Sequence, residues 1–229
     1  LTPTGTATPG LRRGAHAAGP TSPVAGDGAQ GCGGAGGLAP SASLNDPRGT
    51  ALDAANMLFI AAQNNNRIRR VDSATGIITT IAGDGSCCTS GGGDGGLATA
   101  ATLLSPAGVA LDAAGNLFVA EESAQRIRRV DNGTGVITTV AGNGGTDPED
   151  YADGDPAIAV SLPAPTEVAI DSAGNLLIAT DSRVHLVDAA NGTIPTVAGG
   201  GTGGLGGAAT DAALRSNPSS ALDPEDHPL

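Results

Sequence analysis

An all-β repeat architecture is predicted by three features of the sequence: a recurrence of 59 residues, short apolar runs separated by turn-forming residues, and a near absence of aromatic side chains. Leu44, Leu103 and Leu162 are each followed three residues later by Pro47, Pro106 and Pro165, and Asp53, Asp112 and Asp171 keep the same step of 59. The run from Arg67 to Asp72, RIRRVD, returns unchanged from Arg126 to Asp131 and loosely, as RVHLVD, from Arg183 to Asp188. Self-similarity at a fixed period of this size is the mark of stacked structural units.

Within the middle copy the elements follow in order. Gly108 to Leu111 reads as a strand, and Asp112 to Asn116 as a turn in which Gly and Asn accept positive φ. Leu117 to Ala120 is the second strand and Arg126 to Asp131 the third. Asn132 to Gly135 turns the chain, and Val136 to Ala141 is the fourth strand. Four antiparallel strands per unit make one blade of a β-propeller. The third strand breaks simple alternation, because Ile127 and Val130 lie three apart and cannot share one face. Either a bulge or burial on both sides between blades resolves it.

Composition agrees with thin, regular layers. The chain of 229 residues has 37 Gly and 15 Pro, and Phe59, Phe118 and Tyr151 are its only Phe, Tyr or Trp residues. The core must be built from Ala, Val, Leu and Ile. The formal charge is −12 and every basic residue is Arg, with no long basic stretch, which excludes a nucleic-acid partner. No apolar run reaches the length of a membrane-spanning helix.

The run from Pro106 to Ala120, then Arg126 to Asp131, then Gly135 to Gly142 resembles an NHL repeat, in particular the long form of bacterial and teneurin-like propellers. The linking segment Gly93 to Thr99 fits that form, and the resemblance extends from about Val24 to Leu222. It implies an all-β propeller of four-stranded NHL-type blades, with about three full blades and partial flanking blades. The family often has Asp after the Ala that closes the second strand. This chain has Ala62, Glu121 and Thr180 there, and its first linker has Ala35-Gly36-Gly37 in place of Gly-Asp-Gly-Gly.

The organisation expected is a Thr/Pro/Gly/Ala-rich disordered leader over 1–23, a propeller segment over 24–222 and a frayed tail over 223–229. Full units occupy roughly 44–199. Ser22 to Gly26 reads as the end of an earlier blade and Pro218 to Leu229 as the start of a later one. A propeller buries its blade faces by closing a ring, so the expectation is a partial ring that is part of a longer protein or, as the alternative, an open arc whose two exposed blade faces a partner covers.

A catalytic residue is needed once and breaks a repeat. Asp53, Asp112 and Asp171 recur in every copy and are therefore read as turn-forming carboxylates. Relatives of these propellers include metal-dependent lactonases and histidine-dependent lyases. Here the histidines are His16, His227 and His185, the last standing where the other copies have Arg69 and Arg128, and no two are placed to share a metal. Two carboxylates are unique to one copy. Glu167 replaces Gly49 and Gly108, and Glu121 follows a second strand, so both are ligand-binding candidates that would project toward the channel mouth. The competing reading makes them solvated loop carboxylates.

Asp147, Glu149, Asp150, Asp153 and Asp155 form an acidic loop without the spacing of a calcium loop, and Asp153 matches Asp94 of the preceding linker. Asn132-Gly133-Thr134 and Asn191-Gly192-Thr193 are formal glycosylation acceptors in the same blade turn, where Asn-Gly serves the backbone. Cys32 and the Cys87/Cys88 pair lie in comparable linkers, and a bridge between adjacent loops is weighed against three small loop residues.

The sequence thus points to a non-enzymatic scaffold or interaction module that needs no cofactor and takes a protein or cell-surface ligand on one face. Extracellular placement is favoured by the resemblance and the acceptor sites. The alternative is part of a lactonase-like hydrolase or lyase whose site lies in other blades.

Overall fold

The computed structural model describes residues 22–86, 91–145, 153–201, 208–211 and 214. They form three four-stranded antiparallel meanders. The first comprises β1 (Pro47–Leu52), β2 (Leu58–Ala62), β3 (Arg67–Val71) and β4 (Ile78–Ala82). The second comprises β5 (Pro106–Leu111), β6 (Leu117–Glu121), β7 (Arg126–Val130) and β8 (Ile137–Ala141). The third comprises β9 (Glu167–Ile170), β10 (Leu176–Ala179), β11 (Arg183–Val187) and β12 (Thr196–Gly199). These are propeller blades, and the described residues do not close a ring.

The turn between the first two strands of each blade is held by the repeated aspartate. Asp112 Oδ1 accepts the backbone N–H of Ala114 at 3.0 Å and of Asn116 at 2.8 Å, and its Oδ2 accepts Asn116 Nδ2 at 2.7 Å. Asp53 does the same for Ala55 and Met57, and Asp171 for Asn175. A short acceptor side chain at this position fixes the hairpin by satisfying donors that the ladder leaves over.

The irregular third strand combines both resolutions. The bulge lies in its partner: Ile127 pairs with Ala141 and Arg128 with Thr139, so Val140 is the extra residue, and the shift recurs at Ile68/Arg69 and Val184/His185. The strand itself is buried on both sides. Ile127 packs among third-blade residues and Val130 among first-blade residues. The second strand is likewise two-sided, with Leu117 and Val119 facing the first blade and Phe118 and Ala120 facing the third. Burial on both faces explains why this strand reads as a continuous apolar run.

Blades stack by backbone approach of their first strands. A Cβ at Gly49 would lie 2.5 Å from the carbonyl oxygen of Ala107, and one at Gly108 would lie 2.7 Å from Glu167 Cα. Only glycine permits that contact. The opposite flank of the first blade is open among the described residues, and Leu52 is 54% exposed.

Linkers tie each blade to the next. Gly83 and Asp84, just after β4, donate to Ala98 and Ala101 at 2.9 Å, and Gly95 and Ala98 in turn donate to Ile137 and Gly135 of the second blade. Gly142 and Asn143 repeat the first half of this with Ala157 and Val160, and Gly26 and Asp27 repeat it with Ala39 and Ala42. Residues 25–27 therefore occupy the place of an outermost strand's exit.

Candidate functional site

The third strands carry one basic side chain at the same level of each blade: Arg69, Arg128 and His185, all fully buried. Burying a charge in a core of Ala, Val and Ile requires partners, and the three blades supply them differently.

In the second blade Arg128 is paired twice. Its NH1 lies 3.3 Å from Glu121 Oε2, and its NH2 donates to Asp94 Oδ1 from the linker and to the carbonyl of Gly92 at 3.5 Å. Glu121 Oε1 accepts the backbone N–H of Leu104 at 2.7 Å. Burial pushes the Glu121 carboxyl up from its ordinary range, with Arg128 and the Leu104 amide opposing that shift.

In the third blade the positions of Glu121, Arg128 and Asp94 hold Thr180, His185 and Asp153. Thr180 Oγ1 lies 3.4 Å from His185 Nε2, and Asp153 Oδ1 accepts the backbone N–H of Thr196 at 2.8 Å. Desolvation, helped by Arg183 and opposed by Asp153, lowers the His185 imidazole to about 4, so it is neutral at pH 7. In the first blade the same positions hold Ala62, Arg69 and Ala35. Here the Asn45 amide, which corresponds to Leu104, donates to Asn65 Oδ1 at 3.0 Å. None of the three Arg69 guanidinium nitrogens has a hydrogen-bond partner.

Glu121 is thus wholly buried, and both of its oxygens are engaged within its own blade; the cation it faces is Arg128. Glu167 is half-buried at the start of β9, opposite Ala179, and burial raises its carboxyl above the ordinary range. The structure does not bring the two together as one site. Cys32 carries a free, exposed thiol, whereas Cys87 and Cys88, and with them any bridge to Cys32, lie outside the described residues. So do His16, His227, Asp147, Glu149 and Asp150. Among the described residues no group of three or more His, Cys, Asp or Glu is placed to hold a metal ion. Asn132 uses its side chain locally, donating to the Ala114 carbonyl at 3.1 Å. An open depression of about 740 Å³ lies on the free flank of the first blade, bordered by Asp27, Leu44, Asp46 and Pro47.

A family model of the teneurin NHL domain matches residues 82–200. The chain belongs to the teneurin NHL domain family. Teneurin-4 of Mus musculus is 31% identical over 155 residues, covering 62% of this chain and 6% of that protein. Teneurin-1 of Mus musculus is 34% identical over 126 residues, covering 52% of this chain and 4% of that one. The chain therefore spans a small fraction of the length of these relatives. Among solved structures, an auxiliary nutrient binding protein from Bacteroides ovatus superposes with a TM-score of 0.55 at 15% identity, over 80% of this chain and 44% of that one. A second such protein, from Bacteroides thetaiotaomicron, gives 0.52 at 17% identity over 75% and 41%. At these identities the likeness is one of fold. The chain is an NHL-type module of teneurin kind, and no helix of its described residues is long and apolar enough to cross a membrane.

The layer of Arg69, Arg128 and His185 was only partly legible in the sequence. The equivalence of the three positions is plain from the repeat, but the pairing of Arg128 with Glu121 spans seven residues and needs the β6–β7 hairpin register, in which Glu121 is the ladder partner of Arg126 and Arg128 that of Val119, two positions along the same face.

Proposed function

We propose that this NHL module is a non-catalytic scaffold that binds a protein or a cell-surface ligand through the loops at one end of its blades, outside the cell. The observation that carries the reading is how the repeat spends its conspicuous ionisable groups. The recurrent aspartates lock hairpins, and Glu121, Asp94 and Arg128 neutralise one another inside a blade. What differs between blades at the surface is loop chemistry on a rigid frame, which is the usual basis of recognition by such folds. Membership of the teneurin NHL family supports a binding role, and the acceptor sites at Asn132 and Asn191 fit an extracellular setting.

Glu167 is the carboxylate best placed to contact a ligand. It is unique to its blade and half-buried at the start of β9, next to the loop that enters that strand.

The test is binding of the purified chain to intact cells displaying their native surface proteins, before and after protease and glycosidase treatment, with Glu167→Gln as comparison. Saturable binding that protease removes and that weakens in the variant is expected. Turnover of lactone substrates above the buffer rate, with or without added divalent cations, would replace the scaffold reading by an enzymatic one.

A further inference from the structure

We infer that the first blade binds a carboxylate at Arg69, in the position that Glu121 and Asp94 occupy around Arg128 in the second blade. The chain supplies its own comparison. At corresponding places on β3 and β7, two arginines sit in the same ladder, Arg69 opposite Ile60 and Thr80 and Arg128 opposite Val119 and Thr139. Both are fully buried. Arg128 meets two carboxylates and a carbonyl, while Arg69 meets no hydrogen-bonding partner at any of its nitrogens.

The difference has a local cause. Replacing the glutamate by Ala62 and the aspartate by Ala35 takes away every side-chain atom beyond Cβ at two positions that converge on the guanidinium. The atoms removed exceed those of a formate or acetate ion. The first blade has replaced the other role of the missing glutamate, because Asn65 Oδ1 now accepts the N–H of Asn45. The backbone donor is satisfied and the cation is not.

An uncompensated buried guanidinium is strongly unfavourable, and arginine, unlike lysine, does not escape by losing its proton. Burial and the neighbouring Arg67 both act against the charge of Arg69, the Cys32 thiol opposes them without hydrogen-bonding to it, and Arg67 directs its own NH2 to the Asp84 carbonyl at 2.7 Å. Two guanidinium groups side by side, with no acidic side chain of the described residues paired to either, favour a monoanion with two oxygens in one plane, the shape that an arginine fork matches. That carboxylate has two sources that experiment can tell apart, a small free solute or an acidic side chain of a second copy.

The experiment uses the full chain. Thermal midpoints are followed against sodium formate for the natural chain, Arg69→Met and Ala62→Glu, together with sedimentation velocity. Expected for a free carboxylate is a saturable rise in midpoint for the natural chain, no such rise for Arg69→Met, and for Ala62→Glu a higher starting midpoint with no response to formate. Expected for a carboxylate from a second copy is self-association that formate disperses and Arg69→Met abolishes. Equal formate response in the natural chain and Arg69→Met, or no response in a monomer whose Arg69→Met variant is as stable as the natural chain, would overturn the inference. If Arg69→Met does not fold, Ala62→Glu decides alone: a midpoint raised and made insensitive to formate supports the site, and an unchanged formate response removes it.

Discussion

Gln63 and Glu122 occupy the same position of successive blades and are hydrogen-bonded to each other, Gln63 Nε2 donating to Glu122 Oε2 at 2.6 Å. A repeat period of 59 residues thus becomes a physical contact between neighbours. Gln63 is buried, so removing its acceptor strands a polar amide. Glu122→Ala is expected to destabilise the chain by about 1–3 kcal/mol. Glu122→Gln, which keeps an acceptor oxygen, should lose much less. Urea midpoints at constant slope measure both, and equal losses in the two variants would mean that the interblade bond contributes nothing of its own.

The stacking of first strands depends on the lack of a side chain at Gly49 and Gly108. Neither residue has positive φ, so an alanine there is resisted by the neighbouring blade and not by its own backbone. Gly108→Ala would press a methyl group against Glu167 Cα and the Thr166 carbonyl at 2.8 Å. A loss of about 1–3 kcal/mol is expected, with increased exposure of the third blade to proteolysis. Gly133→Ala is the control, since its nearest neighbour is Asp131 Oδ1 at 3.6 Å, and its effect should stay within about 0.5 kcal/mol.

The blade plan was open to reading because each level of the sequence agrees with the next. Apolar runs, Asp-led turns and the 59-residue step all mark the same strands, and the hairpin role of Asp112 follows from its recurrence alone. The start of β5 at Pro106, two residues before the expected strand, was obscured by a register shift between Pro106 and Val109 that breaks alternation. Side-chain partnerships were hidden for a different reason. Glu121 is an unusual residue at a strand end by sequence, but only the hairpin register reveals that it faces inward to Arg128. The unmatched state of Arg69 was encoded in Ala62 and Ala35, two residues that carry no chemical signal until they are compared with Glu121 and Asp94.

Breaking the Arg128 cluster should be costly. With Glu121 replaced by Ala, a buried guanidinium loses one of its two carboxylates and the Leu104 amide loses its acceptor. Removing one partner of a buried pair typically destabilises by about 3–5 kcal/mol; the part-exposed Asp94 remains to Arg128, so the lower end is expected. Glu121→Gln retains the acceptor for Leu104 and should recover part of the loss. Calorimetric midpoints of the two variants check this, and a Glu121→Ala chain as stable as the natural one would show that Asp94 alone neutralises Arg128.

The third blade predicts a pH response. His185 is buried and neutral, its imidazole lowered to about 4 against an ordinary value near 6.5. Between those values the unfolded chain binds a proton that the folded chain refuses, so stability rises with pH across this window. His185 contributes fully above about pH 6.5, and its contribution is lost as pH falls toward 4. The difference across the window amounts to about 3 kcal/mol at most. Glu121 acts in the opposite sense, since a carboxyl raised by burial favours the folded chain at low pH and gives up that advantage as pH rises through its folded value. The two are separated by substitution. A His185→Gln chain should show a flatter decline in urea stability from pH 6.5 to pH 4 than the natural chain, while both retain the Glu121 component. If the two decline in parallel, proton exclusion at His185 is no part of the acid response, and the carboxyls of Asp72, Asp84 and Asp131, held low by hydrogen bonds from neighbouring backbone and hydroxyl groups, account for it.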